Sequence, residues 1–103
     1  MIRHVVLFKF RPDFDPALKA EWEEGVRGLA GRVPGLLGLE LAWDELGTPR
    51  SHDASLIADF ESLEAVQAYA VHPLHLPLIG ISGPNAESIA SVDYTVAAPA
   101  QSA

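Results

Sequence analysis

The fold class that this chain predicts is α+β, built on a single four-stranded antiparallel sheet. Three observations carry it. Two stretches repeat apolar residues at helical spacing. Four others carry the alternation or β-branched richness of strands. Their order is strand, helix, strand, strand, helix, strand.

Residues 2–10 open the chain as a strand rich in Val, Ile and Phe, ended by Arg11 and Pro12. Asp15 and Pro16 form a helix start, with Asp15 placed to cap and Pro16 at the first helical position. Leu18, Trp22, Val26, Leu29 and Val33 follow at three- and four-residue steps, the stripe of an amphipathic helix that Pro34 and Gly35 terminate. Leu37, Leu39, Leu41 and Trp43 then alternate with Gly38, Glu40, Ala42 and Asp44, which predicts a strand with one buried face. Loop composition over 47–53 leads into a strand at about 54–60. Ser62 caps a helix over 63–72, and Pro73 ends it. Prolines and glycines over 73–85 leave room for one short helical turn, and 88–96 is the last strand. This order is the split βαβ pattern of ferredoxin-like domains, βαββαβ with both helices on one sheet face.

The chain has 103 residues, enough for one domain over 1–97 and a flexible tail over 98–103. Seven basic against fourteen acidic residues give a net charge of −7, with no Lys/Arg cluster, so nucleic acid is excluded as a partner. Anionic membrane surfaces are excluded on the same ground, and no apolar run spans a bilayer. Cysteine is absent, removing disulfides, thiolate catalysis and cysteine-bound metals. The expected compartment is the cytoplasm. Two helices cover only one side of a sheet, yet the first strand is apolar on both. His4, Val6 and Phe8 are assigned to the helix side, leaving Val5, Leu7, Val92, Tyr94 and Val96 on the other. A bare apolar face of that size predicts a homodimer with two sheets packed together, a dimeric α+β barrel.

The residues able to carry chemistry are histidines and a tyrosine. His75 follows Pro73 on the turn beyond the second helix and lies near Tyr69. A neutral imidazole there can remove a proton beside a carbonyl while the phenol donates to developing negative charge. The alternative is a polar residue ordering the loop. His4, inside an apolar strand, needs a hydrogen-bond partner and is either a pocket residue or a core histidine bonded to backbone. His72 at the helix end is either a cap or a substrate contact. Tyr69 is a pocket phenol or a core aromatic, and His52 is a solvated loop residue. Asp59 and Asp93 are read as alternating outward. No third ligand joins His72 and His75, so no metal site is expected.

Four segments resemble the Dabb family, the stress-responsive A/B-barrel domains. They are Ile-Arg-His-Val-Val-Leu-Phe-Lys-Phe at 2–10, Asp-Phe-Glu-Ser at 59–62, Ala-Tyr-Ala-Val-His-Pro-Leu-His at 68–75 and Val-Asp-Tyr at 92–94. The resemblance implies a homodimeric α+β barrel. In one branch, the plant polyketide cyclases, it implies a cofactor-free aldol-type ring closure in a pocket lined by residues matching His4, Tyr69 and His75. A further tyrosine of that branch aligns with Val26, so the pocket here is walled by Trp22, Val26, Val6 and Phe8. Three functions follow as expectations. One is a cofactor-independent lyase or cyclase acting on a small apolar carbonyl compound. A second is a non-catalytic small-ligand or stress-response dimer. The third is a monooxygenase-like barrel protein.

Overall fold

The computed structural model describes residues 1–97; the tail expected at 98–103 lies outside them. Strands β1 (Ile2–Phe10), β2 (Leu36–Trp43), β3 (Ala54–Phe60) and β4 (Ala86–Thr95) form one sheet in the order β2-β3-β1-β4. Every neighbouring pair is antiparallel. Helices α1 (Pro16–Arg27), α2 (Leu63–Ala70) and α3 (Leu76–Asn85) bury their apolar residues against one face. This is the ferredoxin-like fold.

The side of the sheet that meets the helices is the one expected. Val6 and Phe8 are buried there with Leu41, Leu56 and Ala58, and His4 shares their face. Trp22, 1% exposed, is the centre of the core. Its indole meets Phe8 edge-on at 5.0 Å and Phe10 at 5.2 Å between ring centroids. Such edge-to-face contacts add to the burial of large apolar surfaces.

Several local expectations are corrected. The first helix stops at Arg27, not near Val33, and its last turns give way around Gly28 and Gly31, where Gly31 has φ 75°. Leu29 and Val33 are buried nonetheless, on a turn that keeps them over the core. Asp15 occupies the cap position, but its carboxylate accepts no capping bond; its backbone carbonyl accepts from Lys19 N–H at 2.9 Å. In β2 the pairing shifts between Leu36 and Gly38, so Leu36 packs inward and Leu37 is 56% exposed. One extra residue in a strand sends the following side chains to the other face.

The largest correction is α3, ten residues where one turn was expected. Pro77 sits in its first turn, where its missing N–H costs nothing. Leu78 and Ser82 are buried, and Ser82 Oγ donates to the Leu78 carbonyl at 3.1 Å. Burial against the rest of the domain outweighs weak local propensity. Strand β4 accordingly begins at Ala86 rather than Ser88. Gly35, with φ 81°, makes the turn into β2, and a Cβ there would meet Ala65 Cβ at 2.7 Å. The turn thus lies tight against α2, whose Ser62 cap accepts from Ala65 N–H as expected.

The opposite sheet face carries no helix. Val5 pairs with Ile57 and Val92, and Leu7 lies beside Ala90. Val92 is 54% exposed and Tyr94 44%. Arg3 and Asp59, directly opposed, are joined by two bonds of 2.9 and 3.1 Å in the same surface. No helix among the described residues is long and apolar enough to cross a membrane.

Candidate functional site

A hollow of about 280 Å3 lies between the sheet and helices α1 and α3. His4, Val6 and Phe8 supply its floor from alternate positions of β1. At the strand rise of about 3.3 Å per residue, that floor runs roughly 13 Å from imidazole to phenyl ring. Trp22 and Val26 wall the aromatic end from α1. Tyr69 from the last turn of α2 and His75 from the following turn stand at the polar end.

The path of the chain after α2 explains that placement. Pro73 prevents the helix from continuing, and the chain tightens: His72 N–H donates to the Tyr69 carbonyl at 3.0 Å and His75 N–H to the His72 carbonyl at 2.9 Å. The turn folds His75 back onto Tyr69, their rings stacked 4.0 Å apart at 28°. His4 meets Tyr69 edge-on at 6.1 Å. The two imidazoles and the phenol therefore share one end of one hollow.

Their protonation follows from their partners. His75 Nδ1 lies 3.3 Å from the Ala70 carbonyl, which can only accept, so Nδ1 carries the proton and Nε2 is the basic nitrogen. Burial holds the imidazolium of His75 below its ordinary range, with repulsion from His4 and His72 adding to the effect. Burial also pushes the Tyr69 phenol up to about 12, so it is a donor rather than a base at neutral pH. No sealed side-chain polar atom among the described residues lacks a partner.

His4 is held by a group that the sequence reading set aside. Asp93 stands directly opposite it on β4, and His4 Nδ1 donates to Asp93 Oδ1 at 2.6 Å. The reading of Asp93 as simply alternating outward is corrected by this cross-strand pair, whereas Asp59 does face outward, where it bonds Arg3. Pairing 2–10 symmetrically with the expected 88–96 would set 4 against 94; the strand that forms, Ala86–Thr95, is displaced by one residue and sets 4 against 93. Ser91, Leu56, Leu78, Ile79, Ser82 and Ile89 also line the hollow and were not foreseen. Most of them come from α3 and β4, the segments read least well.

His72 does not join the hollow. Its Nδ1 accepts from Leu74 N–H at 3.1 Å, which uses the ring to fix the turn rather than to meet a ligand. His52 lies in a separate hollow on the outward face with Leu7 and Arg50. Among the described residues, no group of three or more His, Asp or Glu is assembled as metal ligands.

The fold, and the meeting of a strand histidine with a turn histidine beside a phenol, lead to the comparison with known proteins. The model of the stress responsive A/B barrel domain, Dabb, matches residues 2–96. The chain belongs to the Dabb family. Olivetolic acid cyclase of Cannabis sativa is 24% identical over 96 residues, covering 91% of this chain and 95% of that protein. A dimeric protein of unknown function and ferredoxin-like fold from Bacteroides fragilis superposes with a TM-score of 0.78 at 27% identity, covering 92% of this chain and 95% of the other. Hydroxynitrile lyase from Passiflora edulis has the same fold, with a TM-score of 0.80 at 16% identity over 93% of each chain. This Dabb chain thus resembles proteins named for two different reactions as well as one with none assigned.

Proposed function

We propose that this Dabb protein is a homodimeric, cofactor-independent catalyst of proton transfer next to a carbonyl, on a small and largely apolar compound. The convergence of His4, Tyr69 and His75 on one apolar hollow carries the reading. His75 Nε2 removes a proton from carbon α to the carbonyl. The electron pair moves to the carbonyl oxygen, where the Tyr69 hydroxyl donates to the developing charge. The enolate carbon then attacks a second carbonyl, and the His75 imidazolium returns its proton to the new alkoxide. His4, fixed by Asp93, anchors the second polar group of the substrate.

The likeness to olivetolic acid cyclase and hydroxynitrile lyase supports carbon–carbon bond chemistry at such a site. The dimer is supported by the uncovered face of Val5, Leu7, Ile57 and Val92, and by the dimeric state of the Bacteroides fragilis relative. The test is ring closure of a linear triketone, followed by chromatography, with wild type and His75→Gln. Wild type should accelerate closure over buffer, and His75→Gln should lower the rate by about 10²-fold or more. Equal rates for the two proteins would exclude His75 as the base.

A second reading, a non-catalytic small-ligand dimer, draws on one observation. Both imidazoles already have protein partners for Nδ1, as histidines in a purely structural network do. It requires ligand binding without turnover on any carbonyl substrate.

A further inference from the structure

Apart from the rings of Trp22 and Tyr69, every buried side chain among the described residues is a hydrocarbon, with one exception. That exception is Ser82, 6% exposed, which lies inside α3 and lines the hollow. Nothing in the packing calls for a hydroxyl there. Serine is a poorer helix former than alanine, and its hydroxyl gives up water on burial. Its Oγ donates to the Leu78 carbonyl at 3.1 Å, one turn back. That carbonyl also receives the Ser82 N–H in the α-helical pattern, so the hydroxyl contact is a resting bond that the helix can lose.

The place of Ser82 along the hollow follows from the two ends of α3. At the first, His75 stacks on Tyr69, which meets His4 edge-on. At the last, the Asn85 carbonyl accepts from Arg11 N–H at 2.8 Å, just beyond the end of β1. Helix and strand therefore run side by side in the same direction. Seven residues past His75, at about 1.5 Å each, Ser82 stands roughly 10 Å from the imidazole end. Phe8 and Ile89, opposed on β1 and β4, line the same stretch. One hydroxyl thus sits at an end that is otherwise apolar.

We propose that Ser82 is a specificity-determining contact that reads a second polar group of the ligand, about 10 Å from the carbonyl held at the imidazoles. This rests on the reading of the hollow as a substrate pocket and names the substrate class. The ligand is a carbonyl compound whose far end carries a hydroxyl or a second oxo group, with an apolar stretch between. The serine hydroxyl can turn from Leu78 to donate to an incoming oxygen, or keep its bond and accept from an incoming hydroxyl. A ligand with a bare hydrocarbon end gains nothing from Ser82. Without the serine, a ligand with a polar end buries that group unpaired.

The experiment is calorimetric binding of two matched series of unbranched methyl ketones to the full chain. One series ends in a methyl group and the other in a hydroxyl. Wild type, Ser82→Ala and Ser82→Cys are compared at each length. In wild type the ratio of hydroxyl-ended to methyl-ended affinity should rise at the length that reaches Ser82. Ser82→Ala should lower that ratio about tenfold at this length, and change it less than about twofold for shorter pairs. Ser82→Cys, similar in size but a weak donor, should lower it likewise. Thermal unfolding confirms that each variant is folded, alanine being the better helix former.

An unchanged ratio in Ser82→Ala, or a fall of the same size at every length, overturns the proposal while the hollow remains a ketone pocket. A fall in Ser82→Ala that Ser82→Cys does not reproduce also overturns it, since added room would then be the cause. If no ketone of either series binds wild type, the substrate-pocket reading fails and this one with it. Binding is read without turnover, so an inert His75 bears on neither.

Discussion

His4 on β1 and Asp93 on β4 are direct cross-strand partners, with the imidazole Nδ1 donating to the carboxylate at 2.6 Å. The carboxylate can only accept, so it fixes the tautomer that leaves Nε2 unprotonated. Asp93→Asn replaces it with an amide that can donate, freeing His4 to take the other tautomer. Turnover should fall by about tenfold to a hundredfold, the loss that follows when the partner orienting a functional histidine is removed. Steady-state kinetics check this, with little change in unfolding temperature because the pair is partly solvated.

The pH dependence follows from two groups with opposite signs. His75 is held below its ordinary value of 6.5, so below that pH the unfolded chain takes up a proton before the folded one. Stability therefore falls as pH drops through 6.5, and His75→Gln should flatten that limb. Tyr69 rises from 10.0 to about 12, so the folded chain keeps a proton that the unfolded chain has released. Stability should fall as pH climbs from 10.0 toward 12, and Tyr69→Phe should remove that part of the loss. Thermal unfolding across pH measures both.

Trp22 is the core residue with most to lose. Trp22→Ala removes the ring that packs on Phe8 and Phe10 and should cost about 3–5 kcal/mol. Denaturant unfolding reads that cost. Because Trp22 also walls the hollow, Trp22→Phe should lower ligand affinity while keeping most of the stability.

The uncovered sheet face tests the paired state. Val92, on the edge strand β4 of that face, is 54% exposed and pairs with Val5. Val92→Asp would bring two carboxylates into a sheet-to-sheet contact and should convert the dimer to monomer. Gel filtration with light scattering at micromolar concentration decides it. A wild-type protein that is already a monomer there would remove the dimer from the account.

Element order, strand faces and the proline-turned His75 were legible because each is a local pattern. Alternation in β1 puts His4, Val6 and Phe8 on one face, and no distant contact can change that parity. What escaped the sequence was decided by tertiary contacts. Helix α3 forms through Pro77, Gly80 and Gly83 because Leu78 and Ser82 are buried, which no propensity foretells. Leu37 turns outward because the pairing of β2 with β3 shifts by one residue. Asp93 became a partner of His4 only through strand register, and His72 turned to its own backbone through a bond two residues long.

If His75 moves a proton beside a bound carbonyl, the α-hydrogens of a ketone must exchange with solvent, and deuterium exchange reads that step. A methyl ketone in D2O, followed by proton NMR, should lose its α-hydrogens faster with wild type than with buffer alone. His75→Gln should lower that rate by about 10²-fold, and the wild-type rate should fall as His75 becomes protonated below its ordinary range. Exchange no faster than in buffer, or equal in the two proteins, would contradict the account.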